Sequence, residues 1–98
     1  MRGRRRTVAA ALAEALARRP EAQSAALAAA FAEACGPRLS REVSMRGRLR
    51  DGRLLVLVSS PEWATQVTEL AQLLCERVNA RMGRAVALGL EIRIGPER

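Results

Sequence analysis

The chain has 98 residues, 17 basic and 10 acidic side chains, a formal charge of +7 and no histidine. A chain of this length supports one hydrophobic core, its charge calls for anionic partners, and histidine-based acid, base or metal chemistry is excluded. Every basic residue is arginine, which fits either selection for the bidentate phosphate grip of guanidinium or the codon bias of a GC-rich genome.

The chain opens on a basic head, Arg2 to Arg6, with Arg4, Arg5 and Arg6 in a row. Such arms add sequence-independent phosphate contacts or simply solubilise the chain; residues 1–6 are expected to be a flexible arm and residues 7–98 one domain. The alanine-leucine stretch that follows is broken by Glu14, Arg18 and Arg19. It is too short and too charged for export or for crossing a membrane, so a cytoplasmic protein is expected. From Thr7 to Ala17, Val8, Leu12 and Leu16 recur every four residues and predict a first helix. After Pro20, a second helix is predicted from Glu21 to Cys35, with Leu27 and Phe31 on one face and Gly36 as its stop.

The pattern then changes to period two. Val43, Met45, Gly47 and Leu49 alternate with Ser44, Arg46, Arg48 and Arg50, which predicts a half-buried strand. Asp51-Gly52 predicts a two-residue hairpin loop. The partner strand, Arg53 to Ser59, has the continuously apolar centre Leu54-Leu55-Val56-Leu57-Val58, so both its faces are covered or one is kept apolar for a partner. Ser60-Pro61-Glu62 is a helix start, with serine as cap, proline at the first position and glutamate at the positive end of the dipole. Trp63, Val67, Leu70, Leu74 and Val78 give this helix its core face, and it should stop near Gly83. A last strand follows, with Leu88, Leu90, Ile92 and Ile94 pointing one way and Gly89, Glu91 and Arg93 the other. Cys35 and Cys75, without histidine, fall short of a zinc set and are read as buried free thiols; no cofactor is expected.

A two-residue loop would set Arg50 opposite Arg53, Arg48 opposite Leu55 and Arg46 opposite Leu57, with Met45, Leu49, Leu54, Val56 and Val58 on the core side. One face would then carry Arg46, Arg48, Arg50 and Arg53 beside Leu55 and Leu57. Guanidinium groups gathered in this way fit a phosphate-binding face, or a solvated edge whose charge discourages aggregation. The two aromatic residues, both at core positions, cannot form a base-stacking platform. No glycine-rich phosphate loop or Gly-x-x-Gly clamp is present.

Phe31-Ala32-Glu33-Ala34-Cys35-Gly36 with Pro37 and Leu39, Asp51-Gly52-Arg53 with the apolar strand, Ser59-Ser60-Pro61-Glu62-Trp63-Ala64, Arg77-Val78-Asn79-Ala80-Arg81-Met82-Gly83 and Leu90-Glu91-Ile92-Arg93-Ile94-Gly95 together resemble the DciA family of bacterial replicative-helicase loaders or operators. Phe31 stands where the family usually has tryptophan, and Cys35 where valine is common. The resemblance implies a KH-like α+β fold in the order helix-helix-strand-strand-helix-strand, with a three-stranded sheet packed on helices. It also implies a non-enzymatic protein that binds single- or double-stranded DNA and the replicative DNA helicase, at the nucleoid, without a small-molecule substrate. The candidate nucleic-acid contacts are Arg46, Arg48, Arg50, Arg53, Arg4, Arg5 and Arg6, and the candidate partner contacts are Leu55 and Leu57. A KH-like RNA- or ribosome-associated binder and a pure protein-interaction module are the alternatives.

Overall fold

The computed structural model describes Val8 and residues 20–95. The arm and the helix expected from Thr7 to Ala17 lie outside these residues, except that Val8 is helical and exposed. The described fold is α+β, with helix α1 (Pro20–Leu39), strands β1 (Val43–Arg48) and β2 (Leu54–Val58), helix α2 (Pro61–Met82) and strand β3 (Leu90–Ile94). No described helix is long and apolar enough to cross a membrane.

In α1 the alanine-rich sequence favours helix, and Leu27, Ala30, Phe31 and Ala34, at steps of three and four, form one buried stripe. Gly36, at φ 85° and ψ 167°, interrupts the helical backbone as expected, and Pro37 opens one further turn. That turn carries Leu39 into the core. In α2 every terminal signal is realised. Ser60 is extended and its Oγ accepts from Trp63 N at 3.3 Å, Pro61 opens the helix, and Gly83 closes it in the left-handed region with its N–H on Asn79 O.

The sheet order is β1-β2-β3, antiparallel between the first pair and parallel between the second, with α2 as the crossover that a parallel pair requires. Both helices pack on one side. Leu54, Val56 and Val58 of central β2 point into that side and, with Phe31, Val67, Leu74 and Val78, are 0–2% exposed. Leu55 and Leu57 point the other way and are half-buried. No described element lies over them, so among the described residues one face of β2 is covered and the other is open. Trp63 is half-buried against the core, Cys75 is buried, Cys35 half-buried, and both thiols are free.

The hairpin departs from the expected register. Leu49 N donates to Arg53 O at 2.7 Å and Gly52 N to Leu49 O at 3.0 Å, so the loop has three residues, Arg50, Asp51 and Gly52, with Gly52 at φ 95°. This is the second common hairpin class, a turn followed by a glycine in positive φ. A further irregularity lies at Arg46, because Met45 pairs with Val56 but Gly47 with Leu55. Above this bulge the observed pairing differs from the expected one by two residues, which preserves the face of Val43 and Met45. Below it the difference is one residue, which exchanges the faces. Arg48 therefore opposes buried Leu54 on the helix side, and Leu49 joins Arg53 on the open side. The expected four-arginine face and the core position of Leu49 are both corrected by this slip. Leu88 also falls before β3 rather than within it, 62% exposed, with its N–H on Gly52 O.

The link from α2 to β3 is fastened by one side chain. Asn79 Oδ1 accepts from Val86 N at 2.9 Å and Ala87 N at 2.7 Å, while Nδ2 donates to Ala87 O at 3.1 Å. Val86 and Ala87 are 5% and 4% exposed, so water is a poor substitute for these bonds. Asn79→Ala is expected to cost about 2–4 kcal/mol, with Asn79→Asp in between because it keeps the acceptor; urea unfolding of the three proteins measures the order. Gly52→Ala should also destabilise. Its Cβ would lie 2.5 Å from Leu88 Cδ1, and its φ disfavours any side chain. Adding Leu88→Ala should relieve the clash and leave the backbone strain, so thermal melts should show partial recovery only. Burial pushes the Cys35 thiol up to about 11. Alkylation of Cys35 at pH 8, followed by mass spectrometry, should thus run on the order of a hundred-fold slower than for a free thiol, rising as pH approaches 11.

Candidate nucleic-acid interface

The open side of the sheet is assembled from all three strands and the hairpin loop. The bulge sets Arg46 and Gly47 together against Leu55. Gly47 has no Cβ, and the space where one would stand is empty, so Leu55 is left uncovered from that side. Leu55 and Leu57, with Leu49, make an apolar floor. Parallel pairing then brings Glu91 beside Leu55 and Arg93 beside Leu57.

Around this floor the charges are organised rather than merely abundant. Arg53 donates Nε to Asp51 Oδ2 at 2.8 Å and Nη1 to Glu91 Oε1 at 2.5 Å. Arg93 Nε lies 3.7 Å from the other oxygen of Glu91, so Glu91 stands between two guanidinium groups. The Asp51 carboxyl is held below its ordinary range, first by the backbone N–H of Arg53 and then by the Arg53 side chain. In turn Asp51, and then Glu91, raise the guanidinium of Arg53. These pairs are solvent-exposed and contribute little to stability; what they do is fix the direction of Arg53. Arg46 and Arg50 are exposed and have no carboxylate partner among the described residues. The surface thus offers Arg46, Arg50, Arg53 and Arg93 against Asp51 and Glu91.

Arg48 is elsewhere. Its Nε donates to Val86 O at 2.8 Å, tying the end of β1 to the link that Asn79 holds. It lines a cleft with Gln23, Ser24, Leu27, Met82, Arg84 and Val86 on the helix side of the sheet. Of the expected residues, the structure brings together Arg46, Arg53, Leu55 and Leu57, with Arg50 at the loop, and separates Arg48. Arg4, Arg5 and Arg6 lie outside the described residues. Arg93 was missed. Its alternation with Ile92 and Ile94 marked it as facing away from the core, but only the placement of β3 beside β2 puts it next to Leu57.

The arrangement can hold an anionic chain at its rim and an apolar side chain at its floor. Among curated proteins no match is found. A family model described as Dna[CI] antecedent, DciA matches residues 6–92, a span that takes in both helices, the hairpin and the first three residues of β3. The chain therefore belongs to the DciA family, which is linked to helicase loading.

Proposed function

We propose that this protein is a non-enzymatic, DNA-binding accessory of the replicative helicase, acting at the nucleoid, and that the open side of its sheet is the working surface. The observation that carries this reading is the grouping of Arg46, Arg50, Arg53 and Arg93 around the half-buried side chains of Leu55 and Leu57. Guanidinium groups at the rim meet phosphates, contacts that position a nucleic acid without carrying sequence information, and neither aromatic residue stands on this face to stack on a base. Arg4, Arg5 and Arg6 add contacts of the same kind. Leu55 and Leu57 receive an apolar side chain of the helicase, the type of contact that carries most energy at protein interfaces when it is desolvated by a polar rim.

Two sets of variants separate the roles. Replacing Arg46, Arg50, Arg53 and Arg93 with glutamine should weaken binding to single-stranded DNA and lower the slope of log affinity against log salt by about 2–3, while helicase pull-down is retained. Leu55→Thr with Leu57→Thr should do the reverse. Wild-type protein that neither associates with its helicase nor stimulates loading or unwinding would sink the proposal. Tighter binding to structured RNA than to DNA at two salt concentrations would point to a ribosome- or RNA-associated role instead.

A further inference from the structure

Strand β3 lies at one edge of the sheet and pairs with β2 alone. Leu54 N donates to Gly89 O and Gly95 N to Val58 O. Since the N–H and C=O of one strand residue point to the same side, residues 89, 91, 93 and 95 direct their backbone groups at β2. Leu90, Ile92 and Ile94 direct theirs outward, where the described structure gives them no partner. A regular strand with a free edge is a template for another strand. Ile94 is 52% exposed although its neighbour Val58 on β2 is 1% exposed. Its exposure is therefore that of a core-side residue at an uncovered edge.

The sequence of this edge is complementary to itself. If two copies of β3 run antiparallel about a two-fold axis at Ile92, the hydrogen-bonded pairs are Leu90 with Ile94, Ile92 with Ile92, and Ile94 with Leu90. These are the residues whose backbone groups point outward. The same register sets Leu90 against Ile94 on the helix side. On the open side it sets Glu91 against Arg93, twice. Backbone phase, apolar contact and charge thus agree on one register, and the axis closes the assembly as a dimer.

We infer that β3 is a homodimerisation edge, at which two copies join into one continuous six-stranded sheet through Leu90–Ile94, with Glu91 of each copy paired to Arg93 of the other. The two-fold axis stands normal to the sheet, so the open faces of both copies lie side by side and the basic surface doubles in length. This is independent of whether that surface binds DNA.

The experiment is sedimentation of the full chain over a concentration series, with amide exchange at Leu90, Ile92 and Ile94 read by NMR. Expected is a concentration-dependent dimer in which these three amides gain protection as dimer forms. Arg93→Glu sets Glu91 against glutamate, and Glu91→Arg sets arginine against Arg93; each alone should weaken dimerisation about ten-fold or more. A 1:1 mixture of the two variants restores opposite charges at both positions and should give the heterodimer. Circular dichroism melts check that both variants fold. A wild-type chain that stays monomeric at millimolar concentration, a dimer that Arg93→Glu leaves intact, or a mixture that fails to associate would each overturn the inference.

Discussion

Burial of alternate residues of β2 is the constraint on which the rest depends. Leu54, Val56 and Val58 are sealed beneath two helices, and a side-chain period of two leaves no choice about where Leu55 and Leu57 go. Both neighbouring strands take their register from this central one. The antiparallel partner is delivered by a tight loop and the parallel one by a helix of 22 residues. The reverse of the core is a second face, and among the described residues it is uncovered because helices α1 and α2 both pack on the other side.

Polar side chains finish what apolar packing begins. The segment between α2 and β3 has no ladder of its own, yet Val86 and Ala87 are buried in it. One carboxamide, Asn79, takes up three of their backbone groups, and the guanidinium of Arg48 takes the carbonyl of Val86. Arg48, expected on the open face, holds this link from the helix side of the sheet. The same residue type on the other side of the sheet is restrained by Asp51 and Glu91 and aimed outward.

Elements with local causes were legible in the sequence. Serine, proline and glutamate at residues 60–62 and glycine at 83 act within one helical turn, and the stripe from Trp63 to Val78 needs no knowledge of its partner. The resemblance carried by Phe31 to Gly95 agrees with the family to which the chain belongs. Properties that depend on two segments at once were not legible. Asp51-Gly52 supports loops of two or three residues, and nothing in Val43 to Arg50 marks Arg46 as a bulge, since a glycine next to it suits a strand defect and a solvated face equally. Arg93 became part of the site only through strand order, and Asn79 through a partner segment seven residues away.

The bulge at Arg46 has a consequence for how surfaces of this kind diverge. The side on which Arg48 emerges depends on the parity of the residue count between Met45 and the loop, not on any residue type. A chain with one residue more or fewer in that interval, and the same composition, would move this guanidinium from the helix side of the sheet to the open side. Length variation of a single codon in β1 is therefore enough to redraw the charge on both sides of the sheet while its central strand, and the core beneath it, stay as they are.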